Sequence, residues 1–394
     1  MAIKERLRLA ILQRAPTFSP RPPEAPAASQ PTKVLVIRPD HLGDVILSFP
    51  AFRLLRASLP EARTTALVGP WSRAPLSANP DIDVVEICPF PGFTRRPKGS
   101  PWAPYVLLRQ EAQRLRKEGF DVALNLRPDF WWGAMLAYMA GIPLRMGYDV
   151  PECVPFLNQA LPQQADRHHV EQSVNLVRAL VGEGGANFRP ELWYPVGPDD
   201  TSFAREISRS WPGDGPLVII HPGSGAPVKL WTPLGFAQVA DALTERYGAR
   251  VVLIGGPGEE ALVLAVAHAA SRRPHILMGI TLGQIAALLE TARLAIGLDS
   301  GVMHLAVAVG TPSVHLYGPV ARTIFGPWGL AEKHVVVTSN LPCIPCNRLD
   351  YKKRELARHP CVRDIPAEKV LEAAERLLGP GPSGAAELQQ EALV

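Results

Sequence analysis

The chain has 394 residues, 47% of them hydrophobic and 20% charged, with a formal net charge of +4. That length exceeds one ordinary α/β core and points to two domains; the charge is too small to imply nucleic acid but suits an anionic small substrate or an anionic membrane surface. No apolar run approaches the roughly 18 residues of a membrane span, MAIKERLRLAILQRAP lacks the marks of a secretory signal, and Cys88, Cys153, Cys343, Cys346 and Cys361 are too few for a disulfide scaffold, so a reducing, cytoplasmic setting is expected.

Residues 2–14 place Lys4, Arg6, Arg8 and Arg14 among Ile3, Leu7, Ile11 and Leu12, which predicts a short amphipathic helix. It could rest on an anionic membrane surface or fray as a solvated tail. Residues 15–32 are rich in Pro and Ala and read as a linker. Ordered structure should begin at Lys33, because KVLVI is the nearly continuous apolar run of a buried parallel strand. RPDHLGD follows, then a helical stretch from about Val45 to Ala57. TTALVG, VVEIC and DVALNLR read as strands, and residues 105–118 and 131–140 as helices.

The stretch around 190–215 is rich in Pro, Gly and Asp and reads as an inter-domain connection. Beyond Pro216, LVIIHPG, RVVLIGG, HILMG, LAIGLD and SVHLYG are strands, while residues 233–247, 258–271, 282–292, 301–309 and 366–378 are helical. The expected division is a basic segment and linker at 1–32, a first domain at 33–195, a connection at 196–215, a second domain at 216–378 and a tail at 379–394. The expected fold class is α/β: two Rossmann-like, doubly wound domains facing across a cleft, with ligands at the carboxyl ends of the strands.

Neither G-x-G-x-x-G nor G-x-x-x-x-G-K-[ST] occurs where a dehydrogenase or an NTPase would carry it. Four other polar clusters stand at strand ends. In His41-Leu42-Gly43-Asp44, Gly43 permits a tight turn and leaves room for a substrate, and Asp44 is either a helix N-cap or a base. In His221-Pro222-Gly223-Ser224-Gly225, the two glycines offer backbone N–H groups to a phosphate, and Lys229 adds a point charge. Thr232-Pro233 should cap the next helix. In Gly255-Gly256-Pro257-Gly258-Glu259-Glu260, a glutamate can accept from ribose hydroxyls or simply favour a helix N-terminus. Asp299-Ser300-Gly301-Val302-Met303-His304 opens a helix whose free N–H groups make an anion site. His304, one turn into that helix, by itself reads more often as a buried structural histidine.

The combination of HLGD (41–44), HPGSG (221–225), KLW (229–231), GGPGEE (255–260), DSGVMHLA (299–306) and GTPSVHLYGP (310–319) resembles glycosyltransferase family 9, the bacterial ADP-heptose:lipopolysaccharide heptosyltransferases. The resemblance spans roughly Lys33 to Leu378. It implies a GT-B-type fold and an inverting, metal-independent transfer of a heptose or related sugar from an ADP-sugar to a lipopolysaccharide-core-type glycolipid. It implies Asp44 as general base and Lys229 as the residue that neutralises the donor phosphates. Donor contacts follow from Gly223, Ser224, Gly225, Glu259 (or Glu260), Asp299, Ser300, Gly301 and His304. Many relatives have a further cysteine between the Cys343-Ile-Pro-Cys346 pair and Cys361; its absence here leaves three thiolates, one short of a closed four-cysteine site unless His359 completes it. No metal and no cofactor is expected.

The acceptor side is carried by Gly43 and by Arg95, Arg96 and Arg127, with Lys98 beside them; these could meet an acidic lipid core or form a solvated basic loop. The expected partners are an ADP-sugar, an anionic glycolipid and the inner face of the plasma membrane through residues 2–14, with no nucleic acid. Alternatives are a same-fold glycosyltransferase for another glycan acceptor, a catalytically silent ADP-sugar-binding protein, and a nucleotide-sugar epimerase, which HLGD disfavours.

Overall fold

The computed structural model describes residues 12–14, 31–94 and 100–380. It divides between Pro190 and Glu191 into two compact units. The first holds a six-stranded sheet of β1 (Lys33–Arg38), β2 (Arg63–Val68), β3 (Val84–Ile87), β4 (Val122–Asn125), β5 (Leu144–Tyr148) and β6 (Gln159–Leu161). The second holds β7 (Leu217–His221), β8 (Arg250–Gly255), β9 (His275–Met278), β10 (Leu294–Leu298), β11 (Ser313–Tyr317) and β12 (His334–Thr338).

The strand orders are β3-β2-β1-β4-β5-β6 and β12-β11-β10-β7-β8-β9. Counted within each unit both are 3-2-1-4-5-6, and every pairing is parallel. This is the doubly wound Rossmann topology, with its switch point between the first and fourth strands. The expected α/β class therefore holds in each unit. The cause is visible in the central strands: Val34–Ile37, Val218–Ile220 and Leu294–Ile296 are buried without alternation, as helices cover both sheet faces. Each unit has its own core, one centred on Leu35, Ile37, Leu67, Phe90 and Trp132, the other on Ile220, Phe236, Leu253, Ile296 and Leu316.

Three expectations are corrected. The stretch 45–57 is not one helix but two, Leu42–Ile46 and Phe49–Ser58. Pro50 has no N–H to continue a ladder and disfavours helical backbone before it, and the Ser48 hydroxyl donates to the Asp44 carbonyl at 2.9 Å across the break. The expected connection at 196–215 is mostly helix, Pro198–Ser210, and belongs to the second unit. Pro198 at its start and Asp199 and Asp200 in its first turn are helix N-terminal signals in turn-like composition. Residues 12–14 are helical, but Leu12 is buried with Ala134, Tyr138, Cys153 and Phe156, so that side chain faces protein and not a membrane surface. Residues 2–11 of the predicted helix, and the tail beyond 380, lie outside the described residues.

Candidate active site

In the first unit β1 ends on a buried arginine. Arg38 donates from one terminal nitrogen to the Leu126 carbonyl at 3.2 Å, and from the other to His169 Nδ1 at 3.1 Å and the Asp44 carbonyl at 3.3 Å. Its Nε lies 3.1 Å from Asp40. Asp40 also pairs with Arg127, which follows β4, so the two residues clamp the switch point. Burial alone would raise the Asp40 pKa; the charges of Arg38 and Arg127 overcome it and hold the carboxyl below the usual carboxylate range.

Asp44 stands in the first turn of the helix Leu42–Ile46, whose N-cap is His41, so Asp44 is not the cap. Gly43 is inside the same helix and serves no turn there. The Asp44 carboxylate is 30% exposed, with Arg38 at 3.9 Å and His169 Nδ1 at 3.6 Å. His169 opens the helix His169–Val181, capped by His168, which accepts from the Val170 N–H. A guanidinium can only donate, so His169 Nδ1 is the acceptor and its ring is neutral. Burial, helped by Arg38, lowers its pKa to about 2. The cation facing Asp44 is therefore Arg38, not His169.

The second unit gathers a denser cluster at the carboxyl ends of β7, β8 and β10. Lys229 donates to the Asp299 carbonyl at 2.9 Å and its carboxylate at 3.0 Å. Ser224 donates to the same carbonyl at 3.0 Å. His221, the last residue of β7, contacts Ser300 Oγ through Nδ1 at 3.2 Å and Glu259 through Nε2 at 3.1 Å. The carboxylate can only accept, so Nε2 donates to it, while Nδ1 meets the Ser300 hydroxyl. Glu259 also accepts the Gly256 N–H at 2.7 Å. These contacts cross the switch point, where His221 pairs in register with Gly297 of β10. Glycine at 223 lets Glu259 lie close against the loop: a Cβ there would fall 1.9 Å from Glu259 Oε1.

Most donor-side residues named from sequence thus meet in one place: Lys229, Ser224, Gly223, Glu259, Asp299 and Ser300. Gly225 is exposed at the loop's outer edge, and Gly301 begins the helix Gly301–Ala308. Glu260 is set apart, accepting the Gly258 N–H at 3.2 Å. His304 is 4% exposed, with little surface for a ligand. On the acceptor side, Arg127 is engaged by Asp40 and Asp129 and lies over the Phe93 ring, so its charge is already matched. Arg95, Arg96 and Lys98 lie outside the described residues. Cys343 and Cys346 are exposed and Cys361 is buried, all as free thiols. Sequence reasoning missed Arg38, Asp40 and His169. RPD before HLGD was the available signal for the first two; nothing local marks His169, 131 residues from Arg38.

Doubled Rossmann topology with polar clusters at both switch points is the build of GT-B glycosyltransferases. Comparison with known proteins gives the same class and a family. The model of glycosyltransferase family 9 (heptosyltransferase) matches residues 108–356, and the chain belongs to that family. It is 27% identical over 361 residues to lipopolysaccharide heptosyltransferase 2 of Escherichia coli K12, covering 88% of this chain and 98% of that protein. Among solved structures it is similar to a family 9 glycosyl transferase from Veillonella parvula, with 25% identity, a TM-score of 0.69 and coverage of 88% and 97%. It also resembles the E. coli ADP-heptose lps heptosyltransferase II, with 23% identity, a TM-score of 0.68 and coverage of 91% and 99%. The chain is thus a glycosyltransferase.

Proposed function

We propose that this glycosyltransferase moves a heptose or related sugar, with inversion, from an ADP-sugar to a lipopolysaccharide-core-type glycolipid. The supporting observation is the Lys229–Asp299 pair beside Ser300 and the His221–Glu259 contact, a cluster with both a cation for a diphosphate and a carboxylate for a ribose. The names of the two similar E. coli enzymes support the same donor and acceptor classes.

Asp44 takes the proton of the attacking hydroxyl as that oxygen closes on the anomeric carbon. Arg38 keeps the carboxylate oriented, and neutral His169 adds no competing positive charge. In-line attack inverts the configuration. The leaving diphosphate gains charge as its bond breaks. Lys229 has three N–H donors, two of them directed at Asp299, and the third is available to phosphate oxygen. The N–H groups of the 224–225 loop and of the helix start at Gly301 add to that stabilisation. Glu259 accepts from the ribose, and no metal or other cofactor enters the reaction. The acceptor lipid is met at the cytoplasmic face of the membrane; among the described residues no helix is long and apolar enough to cross it.

Incubation with ADP-heptose and heptose-deficient lipopolysaccharide core, read by mass spectrometry and by NMR of the new anomeric centre, tests this. Asp44→Ala should lower turnover by about 10²–10⁴-fold, the worth of a general base, with ADP affinity nearly unchanged. Turnover at the parent rate would remove Asp44 from the mechanism; activity with UDP-sugars instead would overturn the donor.

A further inference from the structure

A second cavity lies in the second unit, apart from the cluster around Lys229. It has a volume of about 390 Å³ and opens where β11 and β12 end, at Tyr317 and Thr338. In the strand order β12-β11-β10-β7-β8-β9, the Lys229 cluster sits over β10, β7 and β8, so the two sites share one rim without sharing a strand. Parallel sheets bind ligands along that carboxyl edge.

Its lining is one-sided in charge and mixed in polarity. Arg322, Thr323, Thr338 and Asn340 face Ile344 and Pro345, and no acidic side chain lines it. Among the described residues Arg322 has no ion-pair partner, and the Thr323 and Thr338 hydroxyls have no hydrogen bond within the protein. The wall is held in place by bonds that leave these donors unused: Tyr317 donates to the Phe325 carbonyl at 2.8 Å, and Ser339 to the Cys361 carbonyl at 2.7 Å. The volume lies within the range of about 300–1,000 Å³ for small-molecule sites and is too large for a bare inorganic anion. An aliphatic wall suits the C–H face of a sugar ring, hydroxyl and amide groups suit its hydroxyls, and an unpaired guanidinium suits a phosphate or carboxylate.

We propose that this cavity is a second saccharide site, for a mono- or disaccharide bearing a phosphate or carboxylate, distinct from the donor cluster. Calorimetric titration of the full chain, with the donor site saturated by ADP, tests it with glucose 6-phosphate, glucuronate, glucose and inorganic phosphate. The two anionic sugars should bind, and glucose and phosphate should each bind roughly tenfold or more weakly, since each lacks half the contacts. Arg322→Gln should weaken glucose 6-phosphate by about tenfold or more and leave ADP affinity unchanged; Thr338→Val should weaken it less. Asp44→Asn should bind it as the parent does, so failure of the transfer mechanism would not touch this result. Deacylated phosphorylated core oligosaccharide binding tighter than glucose 6-phosphate would identify the acceptor glycan as the source, and the reverse a free sugar phosphate. Displacement by ADP, equal binding by both cavity variants and the parent, or no binding would overturn the site.

Discussion

Lys229 and Asp299 illustrate how a paired charge can still serve a ligand. The ammonium is 13% exposed and its partner 11%, so the pair is neither a solvated surface contact nor a closed core one. Lys229→Gln should reduce kcat by about 10²–10³, the usual loss when one stabilising donor to developing charge is removed. Separate kcat and KM measurements check this; a rise in KM alone would make Lys229 a ground-state binder. Gly223→Ala should be tolerated by the fold, because the clashing atom is the movable end of Glu259. It should nevertheless weaken ADP binding by pushing Glu259 off His221 and Gly256, measurable by titration alongside an unchanged circular dichroism spectrum. Asp40 is the opposite case, buried between two guanidinium groups. Asp40→Ala leaves buried Arg38 with only the half-exposed Asp44 carboxylate at 3.9 Å as counter-charge and should cost about 3 kcal/mol of stability, read in urea denaturation.

At the scale of elements, local chemistry placed the boundaries well wherever caps were strong. Thr232 accepts the Gly235 N–H at 3.0 Å and Pro233 occupies the first helical turn, as the Thr-Pro pair predicted, and the helix runs Pro233–Tyr247. Thr232→Ala should therefore destabilise by about 1 kcal/mol, seen as a lower thermal midpoint. The same logic, applied to Pro198 with Asp199 and Asp200, would have revealed the helix taken for a connection; composition outweighed position there. The strands β5, β6 and β12 and the helix His169–Val181 escaped because their segments are short or carry polar residues within mixed surroundings.

For the whole molecule, buried neutral histidines make stability depend on pH. His169 in the first unit has its pKa lowered to about 2 and His334 in the second to about 4, both mainly by burial, and His315 is pushed well below its ordinary value. The unfolded chain takes up these protons near 6.5 while the folded chain does not. Stability is thus complete above that pH and falls as pH drops from 6.5 toward each folded value, by up to about 1.4 kcal/mol per pH unit per histidine. Urea midpoints between neutral and mildly acidic pH should fall accordingly, and His169→Asn should flatten that slope; an unchanged slope would mean the ring is charged in the folded state.

Sequence alone determined the doubled α/β architecture, the central strands and most of the donor cluster. Apolar runs and glycine-rich strand ends are local properties, and parallel topology brings successive strand ends to one edge. Tertiary structure alone decided which polar groups neutralise one another. Arg38 meets His169, Arg127 is engaged by Asp40, and His221 joins Glu259 to Ser300 across 38 and 79 residues of chain. Such pairings are set by burial and by the order of strands in the sheet, and neither is written in the neighbourhood of any one residue.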